Sequence, residues 1–248
     1  MALYIGTSGW AYPEWKPAFY PDGLPRSRYL THYSSVLTAC EINATFYRLQ
    51  SPATIQNWLR ATPEGFRFTT KAHRRLTHAR LFPVEGPGRR FLDEFLGSVE
   101  PLSGRLGAML FQFPPHRERD DLSLQKLLAA LPPAHRYAFE FRHPSWETLE
   151  VTGLVADRGA TVCMAETEGR VPSALPPGRL AYVRLRFDAY TETARSEWRD
   201  LLIEESRHRD VFAFTKHEGV PAGDVSSGIG FAEWLAAQYR NTGDSAQS

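Results

Sequence analysis

The sequence predicts an α/β fold, a single TIM (β/α)8 barrel, on three observations. Eight short apolar runs recur along the 248 residues, each followed by a segment that is mostly apolar at helical spacing. The repeat averages about 31 residues, and eight such units come to about 250, the usual length of this barrel. Gly6-Thr7-Ser8-Gly9 after the first run lacks the Gly-rich phosphate turn of a doubly wound open sheet, the competing architecture. Alternating strands and helices pair in parallel through right-handed crossovers. No linker, repeat or shift of composition divides the chain, so one domain is expected over 1–240. A small polar tail, 241–248, is expected to fray beyond it.

The first run, Leu3–Gly6, leads through a long aromatic loop to the helical segment Arg28–Leu37. The second, Ala39–Ile42, precedes Thr54–Leu59, where Ser51 offers an N-cap and Pro52 a first helical position. Phe66–Thr69 is separated from Phe91–Val99 by a basic stretch, and Ala108–Phe113 is followed by Leu122–Leu131. Tyr137–Phe141 leads to Trp146–Val155, with Ser145 as the expected cap. After Thr161–Ala165 the segment Gly169–Gly178, with Pro172, Pro176 and Pro177, is too broken for a full helix. Leu180–Leu185 precedes Ser196–Ile203, and Val211–Thr215 precedes Phe231–Tyr239. Each run has strand length, and most are rich in β-branched or aromatic residues.

Lys and Arg number 29 against 28 Asp and Glu, a formal charge of +1, so no global field draws the chain to DNA or an anionic membrane. Cys40 and Cys163 both lie inside apolar runs and read as buried thiols of a reducing compartment, so a cytoplasmic monomer is expected. Met1-Ala2-Leu3-Tyr4-Ile5-Gly6 lacks the basic and apolar regions of a signal peptide. No apolar stretch approaches the roughly 20 residues of a membrane span.

Functional residues of such a barrel sit at the C-terminal ends of its strands. Those positions hold Thr7 and Ser8, Glu41 and Asn43, Lys71, Gln112, Glu140 and Arg142, Glu166, Arg184 and Arg186, and Lys216-His217-Glu218. Period-2 alternation sends Phe139 and Phe141 toward the helices and Glu140 and Arg142 inward; the same parity turns Arg184 and Arg186 inward. A small anionic, ring-bearing ligand is the expected partner. Arg142, Arg184, Arg186 and Lys71 would hold the anion, with Asn43 and Gln112 beside it. Glu41 and Glu140 are the acid/base candidates, and Lys216 and His217 complete the expected catalytic set. In the loop Gly9–Pro21, Trp10, Tyr12 and Trp15 would cover a flat ring, joined by Trp146. From Lys71 to Arg90 the sequence carries Arg74, Arg75, Arg80, Arg89 and Arg90 against the single acid Glu85, an alternative surface for nucleic-acid phosphates. A non-catalytic interaction module is the third reading.

Several chemistries find little support. No HxH, HExxH or CxxC occurs, so no cofactor is expected, although Glu41, Glu140, Glu166 and His217 leave a divalent metal open. There is no GxSxG elbow. Gln112 and Arg184/Arg186 stand where barrel glycosidases commonly place their carboxylates. A Schiff base on Lys71 or Lys216 is conceivable, but the neighbouring charges favour a permanently charged anchor. Hydrolase, isomerase or lyase chemistry remains.

Taken together, Ile5-Gly6-Thr7-Ser8-Gly9-Trp10 with Tyr12 and Phe19-Tyr20-Pro21, then Glu41-Ile42-Asn43-Ala44-Thr45-Phe46-Tyr47, resemble the opening of the YecE-like family, domain of unknown function 72. Phe66-Arg67-Phe68 with Lys71, Phe111-Gln112-Phe113-Pro114-Pro115 and Glu140-Phe141-Arg142-His143-Pro144-Ser145-Trp146 continue the likeness in family order. The resemblance implies a TIM barrel and no settled activity, substrate, cofactor or catalytic residue. Fold-level likeness to endonuclease and sugar-isomerase barrels does not confer their reactions. The chain also departs from the common pattern: Arg184-Leu185-Arg186-Phe187 stands where many members read Arg-Leu-His-Gly. Lys216-His217-Glu218 replaces a common Asn-Asn-Asp type ending, which marks a subgroup.

Overall fold

β-Branched and aromatic runs lie in the chain as parallel strands separated by capped helices, in a computed structural model that describes residues 1–80, 82–218 and 220–245. The strands are β1 (Leu3–Thr7), β2 (Ala39–Ile42), β3 (Arg67–Lys71), β4 (Leu106–Gln112), β5 (Tyr137–Glu140), β6 (Thr161–Val162), β7 (Met164–Glu166), β8 (Leu180–Leu185) and β9 (Asp210–Thr215). All pair in parallel, in two sheets ordered β1-β9-β8-β7 and β2-β3-β4-β5-β6. The third strand runs two residues beyond its expected end, which makes Lys71 a strand-end residue.

Two places join the sheets. The sixth run, expected as one strand, changes partner in mid-course: β6 pairs with β5, β7 pairs with β8, and between them the Cys163 amide donates to Phe139 O at 2.8 Å. At the other margin the Thr38 amide donates to Ile5 O at 3.1 Å. There the Tyr33 hydroxyl accepts from the Thr7 amide (2.7 Å) and donates to Ala39 O (3.0 Å). Side-chain oxygen thus replaces a ladder between β1 and β2. The approach is close enough that a Cβ on Gly6 would stand 1.9 Å from Ala39 O, so this position admits only glycine.

The helices are α1 (Tyr29–Val36), the short α2 (Ala44–Tyr47), α3 (Pro52–Ala61), the short α4 (Arg74–Thr77), α5 (Gly86–Val99), α6 (Asp121–Ala130), α7 (Leu149–Ala156), α8 (Glu192–Ser206) and α9 (Gly228–Ser245). Ser51, Asp120 and Thr191 cap α3, α6 and α8 by accepting from Thr54, Ser123 and Ala194 amides. The fifth helix differs from expectation. Ser145 is held by the His143 ring and the Arg119 amide, so Pro144–Trp146 forms only a 3-10 turn and Thr148 caps α7 instead. No helix separates β7 from β8, in keeping with the prolines there. Helix α9 continues to Ser245, through the start of the expected frayed tail, and 246–248 lie outside the described residues.

Apolar side chains form two buried groups. One lies between strands and helices, and the other, with Leu110, Ala138, Tyr182, Phe212 and Phe214, is drawn from strands of both sheets. No helix among the described residues is long and apolar enough to cross a membrane.

Candidate functional site

Tyr182, Arg184 and Arg186 share one parity of β8 and its continuation, and that face meets the ends of β2 and β5. The Arg184 guanidinium donates to Glu41 Oε1 at 2.9 Å and to Glu140 Oε2 at 2.5 Å. Glu41 Oε1 also accepts from Ser8 Oγ (2.7 Å) and Arg186 (3.3 Å), while Glu41 Oε2 accepts from the Tyr182 hydroxyl (2.8 Å). Glu140 Oε1 accepts from Gln112 Nε2 (2.8 Å) and Arg142 Nε (2.9 Å). Arg186 completes the ring with a 2.5 Å bond to Ser8 Oγ. Glu41 and Arg184 are buried; Arg142 is half exposed at the rim.

Burial alone would push both carboxyls up, but Arg184 and a second guanidinium override it. Glu41 is held at about 2 by Arg184, then Arg186, and Glu140 is lowered by Arg184, then Arg142. Burial likewise opposes the Arg184 charge, yet Glu41 and Glu140 hold it protonated. The acid/base role expected of Glu41 and Glu140 does not fit this geometry. Every carboxylate oxygen is engaged and both groups stay ionised, whereas a general acid or base needs a value near working pH. Buried Nε–H groups of Arg184 and Arg186 meet no acceptor among the described residues.

Lys71 answers differently. With both carboxylates occupied by arginine, its ammonium makes no hydrogen bond or ion pair among the described residues, and it lies 4.1 Å over the Phe46 ring. Burial, then Arg184 and Arg142, lower it to about 8, against the opposing pull of Glu41 and Glu140. Its expected role as a permanently charged anchor is therefore corrected: near neutral pH this amine exchanges its proton. The Phe46 ring meets His78 edge-on at 5.1 Å, and His78 lines a recess of about 450 Å³ together with Arg74, Arg75 and Phe91.

On the opposite flank Tyr12 donates to Ser8 O at 2.6 Å and stacks on His217 at 4.5 Å. His217 Nδ1 lies 2.7 Å from Glu218, off the line of a hydrogen bond, and burial lowers its value, opposed by Glu218 and reinforced by Arg186. Lys216, buried, is paired with Asp188 rather than turned to the carboxylates. Asn43 Nδ2 reaches Ser8 O at 3.5 Å. Glu166 pins its own loop, accepting from the Glu168 and Arg170 amides and from Tyr190. No cluster of three or more His, Cys, Asp or Glu placed to hold a metal occurs among the described residues.

The structure thus brings together Glu41, Gln112, Glu140, Arg142, Arg184 and Arg186, with Lys71, Asn43, Tyr12 and His217 around them. It removes two residues. Trp15 is buried against Tyr20 and Tyr33, pinning the first loop from below. Trp146 stacks on Phe141 at 4.4 Å and donates to Arg117 O. Trp10 is half-buried against Trp58. In the basic stretch Arg89 pairs with Asp93 and Arg75 lies 4.0 Å over Phe91. Sequence reasoning missed Tyr182, Phe46, His78 and Asp188. The parity that found Arg184 and Arg186 also marks Tyr182; nothing in the sequence sets Phe46 beneath Lys71.

The family model described as protein of unknown function DUF72 matches residues 4–244. The chain belongs to the DUF72 family. The UPF0759 protein YunF of Bacillus subtilis is 31% identical over 150 residues, 58% of this chain and 52% of that protein, so the match spans about half the length of this curated relative. A DUF72 crystal structure from Thermotoga maritima matches 98% of this chain and all of its own, with TM-score 0.77 and 24% identity. One from Enterococcus faecalis matches 98% and 97%, with TM-score 0.68 and 17% identity. At those identities the likeness shows the fold alone. This DUF72 chain is α/β, with parallel sheets and alternating helices.

Proposed function

We propose that the two sheets form one closed (β/α)8 barrel whose C-terminal mouth binds a small organic anion carrying a flat ring. Closure is supported by the change of partner at Cys163 and by Tyr33 bridging β1 to β2. The binding reading rests on one observation: at the mouth two carboxylates face three guanidinium groups and the Lys71 ammonium, an excess of positive charge with buried N–H donors left over. An anion satisfies both charge and donors. The stacked Tyr12–His217 pair offers a flat partner beside it. The same reading makes the protein an enzyme of hydrolase, isomerase or lyase type that needs no resident cofactor, acting as a cytoplasmic monomer. The buried free thiols of Cys40 and Cys163 support that compartment.

The test is a thermal-shift series with pyridoxine 5′-phosphate and nucleoside monophosphates. Ligand at about 100 times its Kd stabilises the chain by about 2.7 kcal/mol. Arg142→Ala should abolish the shift. An unchanged shift in that variant, or no shift with any anion, removes the reading. Nucleic acid on the exposed Arg74, Arg80 and Arg90 is the competing partner, and salt separates the two: backbone-phosphate binding falls steeply with salt.

A further inference from the structure

Among 25 arginines the chain carries only four lysines, at 16, 71, 126 and 216. Three are occupied. Lys16 donates to Asp22 O, Lys126 pairs with Glu85 at 3.8 Å, and Lys216 pairs with Asp188. Lys71 alone among them has no oxygen partner among the described residues; the oxygens of Glu41 and Glu140 are occupied by Arg184, Arg186, Arg142, Ser8, Tyr182 and Gln112. Its surroundings pull in opposing directions, and burial with the arginines outweighs the carboxylates. Arg184 and Arg142 repel its charge, Phe46 covers it, and His78, itself lowered by burial and then by Lys71, faces the same ring. The ionised Glu41 and Glu140 and the Phe46 ring face work the other way. Through Phe46 and His78 the amine adjoins the recess edged by Arg74 and Arg75.

We propose that Lys71 is a nucleophile that forms a Schiff base with the carbonyl carbon of an anionic aldehyde or ketone, its anionic group held by the arginines of the mouth and recess. The neutral amine adds to the carbonyl carbon, forming the C–N bond, and the former carbonyl oxygen takes a proton. The amine nitrogen gives up both of its protons, the first making that oxygen a hydroxyl and the second converting it to water, which leaves as the nitrogen lone pair forms C=N, so the step is a reversible condensation with no redox partner. An arginine at this position could not act so, since it does not give up its proton. The amine of Lys216 is instead engaged by the Asp188 carboxylate. At pH 7 a lysine titrating near 10.4 has roughly 0.04% of its amine neutral, and one near 8 roughly 10%, a gap of about two orders of magnitude.

This assignment rests on the anion reading above, and the experiment separates the two. The full chain is treated with pyridoxal 5′-phosphate, an anionic ring-bearing aldehyde, then reduced with borohydride, digested and mapped by mass spectrometry. Binding of pyridoxine 5′-phosphate, which has no carbonyl, is measured in parallel. The expected result is an adduct on Lys71 at least about tenfold above Lys16, Lys126 and Lys216, a margin well inside that reactivity gap. Its rate should rise with pH to a plateau above about 8, pyridoxine 5′-phosphate should protect it, and Lys71→Met should lose it. Labelling spread evenly over the four lysines, or none on Lys71 while pyridoxine 5′-phosphate binds, overturns the nucleophile and leaves the anion site standing. Loss of both overturns the two together.

Discussion

Glu41 has no exposed surface, so its charge is worth what Arg184 and Arg186 return for its lost hydration. Removing one member of such a group costs more than the group contributes, because the remaining charges stay buried. Glu41→Gln should lower stability by about 3–5 kcal/mol in urea unfolding. The pH dependence has a definite sign. The folded carboxyl titrates at about 2, below its ordinary 4.5, so its contribution is complete above about 4.5 and is lost as pH falls toward 2. The wild-type stability curve should drop through that window, and the Glu41→Gln curve should be flatter there; parallel curves would contradict the pairing. The interaction-module reading is tested by activity rather than stability: it expects substitution of Glu41 or Glu140 to leave activity unchanged. Glu41, Glu140 and Arg184 were legible as inward strand-end residues because parity is a local property of a strand. That arginines occupy both carboxylates and leave Lys71 without an oxygen partner among the described residues was not, since this depends on side chains from β2, β3, β5 and β8 meeting in space.

At the level of elements, most boundaries follow from local chemistry. Ser51-Pro52 begins α3 as its residues dictate, and Asp120 and Thr191 cap helices whose apolar cores begin just after them. Helix α7 shows what overrides such signals. Ser145 has the chemistry of a cap but is drawn into a tertiary cluster with His143 and Arg119, so the duty passes to Thr148 three residues on. Thr148→Ala should therefore cost about 1 kcal/mol of stability, measured by chemical denaturation, through both the cap and its bond from Arg119. A neutral result would return the cap to Ser145. The first loop follows the same logic. Its five rings read equally as a ligand cover or as a small core; burial assigns Trp15, Phe19 and Tyr20 to the core and leaves Tyr12 and Trp10 nearer the surface.

For the whole molecule, the decisive contacts join distant parts of the chain. Tyr33 lies in α1, yet its hydroxyl supplies hydrogen bonds that β1 and β2 do not make to each other. Tyr33→Phe should cost about 1–3 kcal/mol, the penalty of stranding the buried Thr7 amide and Ala39 carbonyl, and should speed hydrogen exchange at Thr7. Unchanged exchange there would mean the two strands hold together without it. A helix tyrosine serving as a strand partner leaves no periodic trace, so the alternation of parallel strands and helices was legible in the sequence and the contacts between the two sheets were not. Arg184 has a mechanical consequence as well. One guanidinium laces β8 to β5 and to β2, the latter 143 residues away in the chain. Slackening any one of the three unseats the other two, so this rim behaves as a keyed arch, and the loops above it can change length or sequence while the shape they stand on stays fixed.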